Sequence, residues 1–149
     1  MTAKPLPLRP DRPHQVSLCR VTYRMTDQMG VVYYSNYLEL FEIGRTDLLR
    51  AGGLSYREME AQGFFLPVIH AACDYLAPAR YDDQLIVQTW LARLSRVRID
   101  FDYVITREGE DLVLCRGLTR HAFIGADGRP RRLSPQWLAQ LEALRAESS

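Results

Sequence analysis

Apolar and polar positions alternate most regularly between Arg96 and Thr106. Val97, Ile99, Phe101, Tyr103 and Ile105 share one side, and Arg96, Arg98, Asp100, Asp102 and Thr106 share the other. A period of two predicts a strand with one face in a core and one in water. Three further stretches carry that period. Phe65, Ile69, Ala71, Cys73 and Tyr75 alternate with Val68, His70 and Asp74; Leu85, Val87, Thr89 and Leu91 form another face; and a last long strand is expected over about 112–124. A polar connection over 78–83, a turn at Glu108-Gly109-Glu110 and another at Asp127-Gly128 separate them. A fainter alternation over 16–23, with Cys19, Val21 and Tyr23 at odd positions, predicts a first strand.

Between that strand and the rest the period changes. Over 36–51, Glu39, Glu42, Thr46 and Arg50 fall on one helical stripe, while Tyr37, Leu38, Leu40, Phe41, Ile43, Leu48 and Leu49 cover most of the remaining circumference. An apolar surface that wide predicts a helix largely surrounded by other structure. Gly44 at mid-helix costs about 1 kcal/mol relative to alanine and suggests a close backbone approach. Gly52-Gly53 stop the helix, Ser55 and Glu58 form a capping box for a short helix to about Gln62, and Ser134-Pro135 open a C-terminal helix. The order is strand, long helix, short helix, four strands, helix. The economical packing is α+β, a curved antiparallel sheet wrapped around a long central helix. Residues 1–13 contain four prolines and little to bury, so they read as a mobile tail, leaving 14–149 as a single domain.

Composition narrows the function classes. The 149 residues are 47% hydrophobic and 25% charged, with a formal net charge of +1, which gives no basis for a nucleic-acid-binding surface. No apolar run is long enough to span a membrane, and the N-terminus lacks the apolar core of a secretory signal. Cys19, Cys73 and Cys115 are odd in number and widely spaced, with no CxxC pair and no Cys/His cluster. They read as buried reduced thiols of a cytoplasmic protein and exclude a zinc-finger pattern. His14 lies by the tail; His70 and His121 lie in strands and read as structural.

The chemistry concentrates in 26–45, TDQMGVVYYSNYLELFEIGR. Asp27 and Gly30 sit in a turn-like run, a short aromatic segment follows, and Ser35 and Asn36 offer helix N-cap chemistry. Asp27 has two readings: an Asx-turn residue, or a base or nucleophile delivered beside a helix N-terminus, where an anion is favoured. Tyr33, Tyr34 and Tyr37 are candidates for the wall of a binding pocket or for plain core or interface. Glu42 and Arg45 read as an ion pair. Arg93, Arg96 and Arg98 form one arginine group and Arg129, Arg131 and Arg132 another, each a solvated face or a phosphate site. The chain has no GxSxG elbow, no glycine-rich phosphate loop and no metal-ligand spacing.

Tyr23, Thr26-Asp27, Gly30-Val31-Val32-Tyr33, Asn36-Tyr37, Glu42 and Arg45 together resemble the motif of the 4-hydroxybenzoyl-CoA thioesterase-like branch of the hotdog-fold acyl-CoA thioesterases, over about 16–123. The resemblance implies an acyl-CoA thioesterase without metal or redox cofactor, coenzyme A being part of the substrate. It places the nucleophile or general base on Asp27 and the oxyanion donor on the Tyr34 backbone N–H, with Gly30 allowing close passage of the thioester. It implies acyl contacts from Tyr33 and Tyr37, and favours Arg96 and Arg98 near the nucleotide. Members are homodimers or homotetramers with the site at a subunit interface. Alternatives are an acyl-carrier-protein thioesterase of the same fold and a non-catalytic acyl-CoA-binding protein.

Overall fold

The structure, a computed structural model, describes residues 11–147. Five strands, β1 (Gln15–Arg20), β2 (Val68–Tyr75), β3 (Gln84–Leu94), β4 (Arg98–Arg107) and β5 (Val113–Ala122), form one sheet in the order β1-β3-β4-β5-β2. Every neighbouring pair is antiparallel. Three α-helices complete the described residues: α1 (Asn36–Ala51), α2 (Tyr56–Ala61) and α3 (Pro135–Glu147).

The period-two patterns set the inner face. Leu85, Val87, Thr89 and Leu91 of β3 and Ile99, Phe101, Tyr103 and Ile105 of β4 are all buried. The register carries that face across the sheet, one row running through Thr89, Tyr103, Gly117 and Cys73, and the next through Val87, Ile105, Cys115 and Tyr75. Helix α1 lies against these rows at two points where one partner has no side chain. A methyl group on Gly44 would run into Thr89 Oγ1, and one on Gly117 into the Phe41 ring. Phe41 stacks on Tyr103 with ring centroids 4.3 Å apart. The close approach expected at Gly44 is therefore present.

Four expectations change. The first strand ends at Arg20, and Tyr23 begins a 3-10 turn (Tyr23–Met25) with 77% of its surface exposed. Phe65 precedes β2 and forms only an isolated bridge to Ile124. Helix α1 is not enclosed: the sheet covers one side, and Leu38 and Ile43 on the other remain exposed. Finally, most of the expected tail lies outside the described residues, but Asp11 near its end is fastened to β3, as is His14 just after it. The Trp90 indole donates to the Asp11 carbonyl at 3.1 Å, and the Leu91 N–H donates to His14 Nδ1 at 2.8 Å.

The helix ends follow local chemistry. Ser55 Oγ accepts from the Glu58 N–H at 3.1 Å and Ser134 Oγ from the Trp137 N–H at 3.2 Å, as the capping patterns require. Ser35 stands at the N-cap of α1 but its side chain caps nothing. The Asn36 amide instead donates to the Met25 carbonyl at 2.7 Å, fastening the helix start to the 3-10 turn.

Candidate active site

Residues 26–32 form a tight hairpin beside the start of α1. Thr26 and Val32 bridge its ends, the Asp27 N–H donates to the Val31 carbonyl at 2.9 Å, and the Gly30 N–H donates to the Asp27 carbonyl at 3.0 Å. Asp27 Oδ1 accepts from the Met29 N–H at 2.8 Å and more weakly from the Val31 N–H at 3.4 Å. The Asx-turn role is thus real, and it uses one oxygen. Oδ2 makes no hydrogen bond among the described residues. Gly30 has φ +77° and open space around its Cα within the chain. The turn's left-handed backbone, not a close approach inside this chain, is what calls for glycine.

The hairpin feeds directly into α1. The Val32 N–H donates to the Ala79 carbonyl at 2.8 Å, the Tyr33 N–H to the Met25 carbonyl at 3.0 Å, and the Asn36 N–H to the Tyr33 carbonyl at 3.0 Å. Between them, the N–H groups of Tyr34 and Ser35 have no acceptor among the described residues. These are donors of the kind a helix start leaves over. A carboxylate oxygen and a backbone donor, each without a partner, therefore sit on one short hairpin-to-helix segment.

Aromatic rings line this end of the sheet. Tyr33 and Tyr34 are exposed, Tyr34 lies 4.9 Å from Tyr75 between ring centroids, and Tyr75 lies 5.2 Å from Tyr37. The Tyr75 hydroxyl donates to the Tyr34 carbonyl at 3.3 Å. Tyr37, expected as an acyl contact, is a core residue: only 3% of it is exposed, and burial pushes its hydroxyl up to about 12. Tyr75 and Arg80 also border this turn, without a sequence pattern that marks them. Arg80 bridges Val31 through its backbone and is exposed beside the turn. The end of an alternating strand and a residue of a polar connection carry no local signal of either placement.

Arg96 and Arg98 lie at the opposite end of the sheet. Arg98 pairs in register with Ala122, whereas Tyr75 pairs with Cys115. Arg96 Nε donates to the Leu133 carbonyl at 3.0 Å, and Arg98 Nε meets Asp100 Oδ1 at 3.4 Å. A groove of about 410 Å³ opens at this far end, lined by Tyr56, Glu60, Phe65, Leu66, Pro67 and Ile124 among others.

A buried chain of polar groups runs behind that groove. Arg45 donates through Nε to Tyr56 Oη at 3.2 Å and also faces Tyr103, in place of the ion pair expected with Glu42. The Tyr103 hydroxyl lies 2.6 Å from Thr119 Oγ1, which lies 2.8 Å from His121 Nε2, and His121 Nδ1 lies 3.1 Å from the Leu66 carbonyl. The Leu66 carbonyl can only accept, so Nδ1 carries the proton. Nε2 then accepts from Thr119, and Thr119 accepts from Tyr103. Burial holds the His121 imidazole down at about 4, in keeping with a neutral ring.

No helix among the described residues is long and apolar enough to cross a membrane. A family model described as the thioesterase-like superfamily matches residues 21–141. The 1,4-dihydroxy-2-naphthoyl-CoA hydrolase of Synechocystis is 32% identical over 112 residues, 74% of this chain and 81% of that protein. The acyl-CoA thioester hydrolase YbgC of Escherichia coli is 33% identical over 103 residues, 64% of this chain and 77% of that protein. The crystal structure of DHNA-CoA thioesterase from Staphylococcus aureus superposes with a TM-score of 0.83 at 33% identity, covering 91% of this chain and 95% of that one. The chain belongs to the thioesterase-like superfamily and is a thioester hydrolase of the hotdog fold.

Proposed function

We propose that this enzyme hydrolyses an acyl-CoA thioester to the free acid and coenzyme A, with Asp27 as base or nucleophile and the Tyr34 N–H as oxyanion donor. The observation that carries the assignment is the pairing on one segment of an unengaged Asp27 Oδ2 with an unpartnered backbone donor. The carboxylate either draws a proton from the attacking water or attacks the acyl carbon itself, forming an anhydride that water opens. On both routes negative charge develops on the carbonyl oxygen, where a preoriented N–H stabilises it. The C–S bond then breaks, and the sulfur leaves as the coenzyme A thiolate. Water and these two groups complete the reaction, so it calls for no metal or redox cofactor. Coenzyme A thioesters fit a cytoplasmic enzyme.

One chain supplies only part of such a site. Asp27, Tyr34 and Tyr75 lie at one end of β2, and the groove lies at the other. The outer edge of β2 is unpaired among the described strands, and Val68, Ile69, Tyr75 and Leu76 along it are exposed. Such an edge is a template for strand pairing. A two-fold axis through the middle of β2 pairs it with its own copy in antiparallel, which sets the groove of one copy against Tyr75 and Tyr34 of the other. The site then belongs to a homodimer or to a homotetramer built from two such dimers. Tyr33, Tyr34 and the groove enclose the acyl group. The arginine-bearing end of the second copy, with Arg96 and Arg98, faces the phosphates. A thiol-release screen over short, long and aromatic acyl-CoAs tests the activity. Failure to hydrolyse any of them, with thermal stabilisation by one, would make the chain a binder instead; faster turnover of the same acyl group on a carrier protein would reassign the substrate.

A further inference from the structure

Two thiols that hydrolysis does not use face each other on the inner side of the sheet. Cys73 on β2 pairs in register with Gly117, and Cys115 on β5 pairs with Tyr75, so the two cysteines are diagonal neighbours in adjacent rows. Both point to the side that faces α1. Their sulfurs are 3.1 Å apart, already closer than a non-bonded contact needs, and ~1 Å of further approach reaches the length of a disulfide. Cys115 is fully buried, while Cys73 is only partly so. The hydrogen bond with Cys115 draws the Cys73 thiol below the ordinary range, and the same contact together with burial pushes Cys115 up. The pair therefore has distinct members: a partly exposed residue whose thiol is drawn down and a fully buried one held against it. The third cysteine, Cys19, lies on β1 at the opposite edge of the sheet.

We propose that Cys73 and Cys115 form a dithiol that peroxide closes to a disulfide and that added thiol reopens. The Cys73 thiolate attacks one oxygen of hydrogen peroxide. The O–O bond breaks, hydroxide leaves and takes up the proton released by Cys73, and Cys73 becomes a sulfenic acid. The Cys115 sulfur then attacks the Cys73 sulfur. The S–O bond breaks, and the Cys115 proton leaves with that oxygen as a second water. The two sulfurs together lose two electrons, and the peroxide gains them.

The test uses the full chain treated with equimolar hydrogen peroxide, then alkylated and weighed intact. The expected result is one alkyl group in place of three, a mass before alkylation lower by two hydrogens, a proteolytic fragment joining the Cys73 and Cys115 peptides, and recovery of all three thiols with dithiothreitol. In Cys115→Ser the reaction should stop at a Cys73 sulfenic acid that dimedone labels, a species the native chain does not accumulate. Three of the outcomes overturn the proposal: all thiols surviving peroxide, Cys73 advancing to sulfinic acid without a cross-link, or a covalent dimer through Cys73 on a non-reducing gel. The native-chain measurement stands even if Cys115→Ser does not fold.

Discussion

The two oxygens of the Asp27 carboxylate are not equivalent. Oδ1 holds the turn through the Met29 and Val31 N–H groups, and Oδ2 makes no hydrogen bond among the described residues. Asparagine keeps an Oδ1 acceptor in the same place but is neither base nor nucleophile. Asp27→Asn should therefore melt within a few degrees of the native enzyme while kcat/KM on a good substrate falls by at least ~100-fold. Asp27→Ala should lose the same activity and about 1 kcal/mol of stability as well, because the turn N–H groups lose their acceptor. Near-native kcat/KM in the asparagine variant sinks the catalytic assignment. Asp27 and Gly30 were legible in the sequence because turn chemistry is local: an Asx residue followed by a glycine with positive φ needs no distant partner. Tyr75 was not legible. Its contact with Tyr34 depends on how the end of an edge strand curves over the start of α1, and that is set by five strands together.

At the scale of elements, the placement of α1 rests on two glycines on opposite partners, one in the helix over Thr89 and one in β5 under Phe41. Gly117→Ala should cost about 2 kcal/mol or more, since its methyl enters a ring that is itself stacked on Tyr103. Denaturant unfolding measures this; an unchanged midpoint would mean that the helix can lift without loss. Behind the groove, the chain from Arg45 through Tyr103 and Thr119 ends on a His121 imidazole that burial keeps neutral, with Nε2 accepting from Thr119. The ring is held at about 4, against ~6.5 for a free histidine. The unfolded chain thus binds this proton first as pH falls. The contribution is complete above ~6.5 and is lost down to about 4, to a total of about 3 kcal/mol. Unfolding free energies of the native chain and of His121→Gln across that window should differ in slope, the native chain losing stability more steeply on acidification. Parallel slopes would place the histidine proton elsewhere. The strands that frame this network were readable because alternation is a local pattern. The cap of α1 was not: Ser35 has the right chemistry, but the chain enters through a turn fixed by Asn36 and Met25, which leaves the serine idle.

At the scale of the whole molecule, the sequence-predicted residues divide between two ends of one sheet. Asp27, Gly30, Tyr33 and Tyr34 gather at one end, and Arg96 and Arg98 at the other beside the groove. No local pattern can reveal this split, because which strand ends lie together follows from the β1-β3-β4-β5-β2 order. If β2 pairs with its own copy, each complete site takes its carboxylate from one subunit and its groove from the other. Pro67 offers a way to test this, since it lines the groove and has no N–H for a tertiary contact to lose. Pro67→Trp should fill the groove and leave Asp27 intact, whereas Asp27→Asn should do the reverse. Each variant alone should be nearly inactive. Dissociated, mixed in equal amounts and reassociated, half of the dimers become mixed, and one site in each of these has both a native carboxylate and a native groove. Activity should then rise to about a quarter of the native level. A site contained within one chain predicts no rise at all, because every mixed dimer would still hold one site of each defective kind.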